Sequence, residues 1–271
     1  MPWDDTARKQ HSRDGLRYPS DLTDREWCLI EPLLPPARRG GRPRTTDLRA
    51  VTEAVLYIAS SGCQWRMLPK DFPPVSTVRG YFYAWRDAGL WQTINHLLVM
   101  STRELEGREA SPRAGVIDSQ SVKTTESGGV CGYDAGKKIN GRKRHILVDT
   151  LGLLLVVLVT AASVQDRDGA RQLLRHLPGP CKKLRKIWVD GAYSGRLVDW
   201  VAERFRFVLA VVLRPKESRR FVLLPRRWVV ERTFGWLNLS RRLSKDYERL
   251  MPTSETWIYL AMIRLMAHRL A

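Results

Sequence analysis

Three carboxylates stand where their types and surroundings could do chemistry. Asp118 closes the apolar run Gly115-Val116-Ile117, and Asp190 closes Ile187-Trp188-Val189. Glu231 lies among Trp228, Val229, Val230, Phe234 and Trp236. Clustered carboxylates repel one another unless a cation sits between them. Their hard oxygens suit Mg²⁺ or Mn²⁺. Two such ions, a few ångström apart, activate an attacking hydroxyl and stabilise a leaving oxygen in phosphodiester displacement. Asp118 and Asp190 are 72 positions apart, and Glu231 follows 41 positions later. The second interval has room for one helix, one strand and a short turn, with no inserted domain. Taken singly, an Asp at a strand end is more often a turn or cap residue, and a helical Glu a solvated partner for Lys. Asp149, Asp166 and Asp168 compete for the role. Asp149 is expected in a hairpin turn, and Asp166 or Asp168 as a helix cap.

The charge balance suits a phosphate-bearing partner. The 271 residues carry 46 Lys+Arg against 28 Asp+Glu, a formal net charge of +18. Residues 1–110 hold 16 basic and 14 acidic residues, so nearly all the excess lies beyond them. Each Lys or Arg placed on a phosphate releases condensed counterions, which favours a polyanion. The basic residues are clustered: Lys137, Lys138, Arg142, Lys143 and Arg144; Lys182 to Lys186; Arg214 to Arg227; Arg241, Arg242, Lys245 and Arg249. The four cysteines are widely spaced with no Cys-x-x-Cys, so neither a zinc ribbon nor a disulfide framework is indicated. Reduced thiols in a cytoplasmic, nucleoid-associated protein are expected. Met1 to Asp5 shows no apolar stretch like a signal peptide. The run from Leu151 to Ala162 is too short to span a bilayer.

Elements able to position the acids can be read along the chain. Residues 1–19 are polar and read as a loose arm. Thr23-x-x-Glu26 is a capping box, giving a helix over about 24–34 that Pro35 and Pro36 end. Asp47 caps a second helix, with Val51, Val55 and Ile58 on one face and Gly62 as its stop. Ser76 opens a third, with the stripe Val78, Tyr81, Phe82 and Trp85, ended by Gly89. A fourth covers roughly 91–105. Residues 20–110 therefore read as a small all-α, helix-turn-helix-like DNA-binding domain, whose later helix presents Ser76, Thr77 and Arg79. Ordinary bundle helices are the alternative.

The texture then changes. A strand begins at Gly115, residues 124–141 read as a loop, and His145 to Val148 and Leu153 to Val159 are strands. Helix 166–177, strand 186–190, helix 197–205, strand 207–213 and a long helix from Pro225 to about Tyr247 follow. The order β-β-β-α-β-α-β-α is that of a ribonuclease H-like fold, here over 111–271. In such a sheet the first and fourth strands are neighbours, so Asp118 and Asp190 should be side by side, with Glu231 delivered by the helix that crosses them.

The sequence resembles the DDE transposases of bacterial insertion sequences, specifically the large fifth family. The resemblance runs from about Tyr18 to the C-terminus. It is carried by Leu22 to Trp27, Gly40 to Arg44, Cys63 to Pro69, Val116 to Lys123, Gly141 to His145, Val189 to Tyr193 and Arg227 to Arg232. It implies Asp118, Asp190 and Glu231 as the metal-binding triad. Related transposases carry a Tyr, Arg, Glu, Lys signature around the last acid. Arg227 and Glu231 match it, whereas Leu224 and Asn238 stand at the Tyr and Lys positions. Arg241, Arg242 or Lys245 are candidate substitutes for that Lys.

The resulting expectation is a transposase that binds terminal inverted repeats, frees 3′-OH ends and joins them to target DNA with two Mg²⁺ or Mn²⁺ ions. A homodimer or higher assembly on double-stranded DNA, away from membranes, is expected. A nuclease without strand transfer and an inactive DNA-binding regulator are the alternatives. Gly41-Arg42-Pro43-Arg44 reads as a minor-groove arm or a basic interhelix loop. Lys123, Lys137, Lys138, Arg142, Lys143 and Arg144 are expected on phosphates beside the acids, with Arg227. His145 reads as a structural histidine.

Overall fold

The computed structural model describes residues 12–37, 40, 43–126, 128–177, 181, 183–213 and 227–271. The expected Arg42, and Leu224 of the signature comparison, lie outside the described residues.

The first helix, α1 (Asp24–Ile30), is set by local hydrogen bonds. The Thr23 side chain accepts from the Glu26 N–H, and Glu26 accepts from the Thr23 N–H at 2.8 Å. A short 3₁₀ turn, Glu31–Leu33, carries Pro32 and finishes the segment. Helix α2 (Leu48–Ser61) starts where the Asp47 carboxylate accepts from Arg49 and Ala50 N–H. It stops at Gly62, whose φ of 71° is left-handed. Helices α3 (Val75–Asp87) and α4 (Leu90–Leu105) follow. Residues 62–74, with a 3₁₀ turn at Trp65–Met67, separate α2 from α3, and a tight turn lies between α3 and α4.

The sheet comprises β1 (Ala114–Lys123), β2 (Gly132–Asp134), β3 (Ile139–Asp149), β4 (Leu154–Ala161), β5 (Lys186–Val189) and β6 (Val208–Val211). Antiparallel β4–β3–β1 continues into parallel β1–β5–β6, an order consistent with a ribonuclease H-like fold. Gly141 pairs with both Lys123 and Gly132, so β2 and β4 share the edge of β3 away from β1. Residues 124–141, expected as a loop, thus include β2 and the start of β3. Helix α5 (Asp166–Arg175) packs on β3 and β4, and α6 (Arg196–Arg204) on β6.

The expected helix from 225 to 247 is corrected. Helix α7 spans Trp228–Asn238 only, and a 3₁₀ turn follows at Arg241–Leu243. A further helix, α8 (Met251–Leu270), has no counterpart in the sequence reading. It packs against α1, α2, α4 and β4. Its buried residues include Trp257, Ile258, Leu260, Met262, Ile263 and Met266, which face more than one side of the helix. One hydrophobic core therefore runs from Leu22 and Ile30 through the sheet to Ala267.

Candidate active site

Register places the two aspartates together. Val116 pairs with Trp188 in the parallel β1–β5 ladder, so Asp118, two residues on, lies opposite Asp190. The arrangement is the side-by-side pair expected from the element order. Asp190 follows the last residue of β5 and caps the 3₁₀ turn Gly191–Tyr193, its Oδ1 accepting from the Ala192 N–H at 2.9 Å. Asp118 Oδ1 accepts from the Ser119 N–H at 2.7 Å.

The other oxygens share a cation. One guanidinium nitrogen of Arg227 lies 3.6 Å from Asp118 Oδ2 and 3.7 Å from Asp190 Oδ2. The side chains of Asp118 and Asp190 are 18% and 27% exposed, so the pair is sheltered but open to solvent. Burial raises the Asp118 carboxyl to about 6, and the charge of Asp190 adds to the rise. The Ser119 N–H, Arg227 and Lys137 oppose it. The arrangement fits a divalent cation. The donors are hard oxygens, and a positive group already stands against both carboxylates.

Glu231 lies in the first turn of α7 and is exposed. It follows Arg227 by four residues, one helical turn, and so shares its side of the helix. Among the described residues no group of three His, Cys, Asp or Glu is assembled for a metal. The structure thus brings two of the three candidate acids together and holds the third on the neighbouring helix.

The expected phosphate contacts divide sharply. Lys123, Lys137, Lys138, Arg241 and Lys245 are exposed, as are Arg44, Ser76 and Arg79; Thr77 is half-buried. Lys137 Nζ donates to the Ser119 carbonyl at 3.2 Å, which keeps its charge beside Asp118. Four others are corrected. Arg142 is fully buried, paired with Asp246 at 3.1 Å, and also donates to the Val130 and Arg249 carbonyls. Lys143 bridges Asp166 and Asp134 at 3.1 and 3.3 Å. Arg144, buried, donates to the Leu243 and Lys245 carbonyls. Arg242 pairs with Glu248 at 2.6 Å and donates to the Cys63 carbonyl. These cations are anchors of the interior. For Arg142, Lys143 and Arg144 the physical reason is their place: β3 is paired on both edges, and its side chains alternate between two covered faces. Arg242 lies in the 3₁₀ turn Arg241–Leu243, held by Glu248 and the Cys63 carbonyl.

His145 is structural, as expected. It is buried, contacts Thr160 at 3.0 Å, and packs under Gly169 of α5. Burial lowers its imidazole to about 4. Asp149 sits at the hairpin turn, accepting from Leu151 and Leu153 N–H while pairing with Arg103. The helix cap expected at Asp166 or Asp168 falls on Gln165, and both acids lie in the first turn. Asp166 reaches back to the Ser119 hydroxyl at 2.8 Å.

Two further residues adjoin Asp190 and Arg227. Tyr193 is buried, and its phenol is pushed up by burial and by the charges of Asp118, Asp166 and Asp190. Its signal was the three-residue step from Asp190, which a 3₁₀ turn makes close. Trp228 follows Arg227 directly, is 40% exposed, and stacks with Arg232 at 4.5 Å.

The paired acids on parallel neighbours, in this sheet order, are consistent with a DDE-type domain. A model described as "Transposase DDE domain" matches residues 109–266, more than half of the chain. The chain belongs to that family, the DDE transposases of insertion sequences. Residues 22–95 match a second model, "Putative transposase of IS4/5 family". The chain is 32% identical over 113 residues to "Insertion element IS402 uncharacterized 16.2 kDa protein" of Burkholderia cepacia, covering 40% of this chain and 76% of that one. It is 31% identical over 116 residues to "Putative transposase for insertion sequence element IS402" of the same organism, covering 40% and 54%. It is 30% identical over 93 residues to "Uncharacterized protein y4sN" of Sinorhizobium fredii, covering 34% and 67%. Among the described residues, no helix is long and apolar enough to cross a membrane.

Proposed function

We propose that the protein binds the terminal inverted repeats of an insertion sequence, cleaves at the element ends to give 3′-OH groups and joins them to target DNA. The observation that carries this reading is the register that sets Asp118 opposite Asp190 with a cation across both. Asp118 and Asp190 hold divalent metal, two Mg²⁺ or Mn²⁺ ions, with Glu231 as the third ligand from α7. Bound there, the metal supplies activation of water and then of the 3′-OH, so no covalent protein–DNA link is needed. Lys137 holds a phosphate beside the acids, and Lys123, Lys138, Arg241 and Lys245 hold the backbone further out. Such contacts give affinity and register without reading bases. Helices α1 to α4 form the end-recognising part, with Ser76, Thr77 and Arg79 on α3 and Arg44 on the preceding arm.

Two element ends must be brought together, so a homodimer or higher assembly carries out the reaction in the cytoplasm, on the nucleoid. A strand-transfer assay on duplexes ending in the element's inverted repeats tests the reading. Joined products that need Mg²⁺ or Mn²⁺ are expected. Cut ends that never join mean a nuclease. Binding without cutting means a regulator.

A further inference from the structure

We propose that Arg227 is the resident counter-ion of the acid pair, and that DNA draws it away so that a divalent cation can take its place. The inference rests on the reading of Asp118 and Asp190 as metal ligands. Its subject is the order in which the two positive partners use them.

The case begins with which oxygens are free. Asp118 Oδ1 is engaged by the Ser119 N–H, and Asp190 Oδ1 by the Ala192 N–H. The oxygen of each carboxylate that faces Arg227, away from these N–H bonds, is Oδ2. Both Oδ2 atoms face the same nitrogen of Arg227, at 3.6 and 3.7 Å. A divalent cation held by Asp118 and Asp190 would draw on those same oxygens. A guanidinium and a divalent ion of like charge cannot share them.

The contact is also loose. Charge-assisted N–H···O bonds close to about 2.7–2.9 Å. Arg242 with Glu248, at 2.6 Å, shows such a closed pair in this protein. Arg227 stands off from both acids and keeps 20% of its side chain exposed. It screens their repulsion without being locked to either. A phosphate offers the planar guanidinium a bidentate partner, which Arg prefers.

The consequence is a coupling. When Arg227 turns to a phosphate, the two Oδ2 atoms are bared and their mutual repulsion favours metal. By linkage, metal then tightens DNA binding by the same factor that DNA tightens metal binding. Without DNA, the site is held with its repulsion partly offset and its metal affinity low.

The experiment uses the full chain and Mn²⁺, with free ion counted by electron paramagnetic resonance. Binding is measured with and without a short mixed-sequence DNA duplex, and the duplex alone is the blank. Wild type is expected to bind Mn²⁺ weakly alone and about tenfold more tightly with DNA, within the usual range of coupling between sites. R227Q, neutral but still polar, is expected to bind about as tightly without DNA as wild type does with it, and to gain little on adding DNA. R227K keeps the charge and is expected to stay weak without DNA. Circular dichroism confirms that each variant is folded.

R227Q with unchanged or weaker Mn²⁺ affinity overturns the proposal and leaves the acid site intact. So does an equal gain in R227Q and R227K, because charge is then not the cause. Mn²⁺ binding that survives D118N and D190N together overturns the metal-site reading, and the proposal falls with it.

Discussion

Replacing Asp118 by Asn should stabilise the metal-free protein. The folded carboxyl sits at about 6 against an ordinary 3.8, mainly because burial disfavours its charge. That is about 2 units, or roughly 3 kcal/mol at about 1.4 kcal/mol per unit. The sign follows from linkage. A carboxyl whose folded value is raised holds its proton more tightly in the folded state. Folding is then most favoured below about pH 4, loses stability as pH rises to about 6, and stays lower above that. Asparagine keeps the shape and can still accept from the Ser119 N–H, but never ionises. The attraction of Arg227 is already inside the net shift, so its loss needs no separate correction. Urea unfolding in the presence of a chelator, from about pH 4 to about pH 8, measures the difference. The two proteins should converge at the acid end, with D118N up to about 3 kcal/mol more stable at the alkaline end. A D118N protein less stable than wild type at neutral pH refutes the reasoning, because Asp118 would then be a stabilising ion-pair partner and not a sheltered, repelled acid.

Arg142→Met should cost about 3–5 kcal/mol, because it leaves Asp246 buried without its cation. A thermal melt checks this, and the salt dependence of DNA binding by the folded fraction should not change. Gly141→Ala should cost about 3 kcal/mol or more, by separating β1 from β3. An added Cβ would stand 2.0 Å from the Val122 carbonyl oxygen, and urea unfolding reads the loss. Lys137→Ala and Lys123→Ala, both at exposed cations, should each lower the slope of log affinity against log salt by about 0.9 if each holds one phosphate. Nitrocellulose filter binding at several salt concentrations measures it, and an unchanged slope removes that residue from the contact surface.

Local hydrogen-bond grammar made much of the fold legible. The Thr23–Glu26 box, the Asp47 cap and the left-handed Gly62 each act within four residues, so composition alone places them. The aspartate pair was legible because element order dictates strand order, and strand order dictates who is opposite whom. The buried cations were not legible. Arg142, Lys143 and Arg144 read as a solvent-facing cluster, yet their strand is central, and Asp246 for Arg142 and the Leu243 carbonyl for Arg144 lie some hundred residues away. Helix α8 was missed for a related reason. A helix buried on several sides loses the stripe that marks an amphipathic one. Glu231 marks the remaining distance between sequence and site, being on the expected helix but exposed at its first turn.

The central claim is most directly tested by end cleavage in vitro. The wild-type chain, a duplex carrying the element's terminal repeat, and Mg²⁺ or Mn²⁺ are compared with D118A, D190A and E231A, each first shown to be folded. The account predicts 3′-OH ends and joined products from wild type and neither from any of the three variants. Wild-type cleavage by all three variants would contradict it.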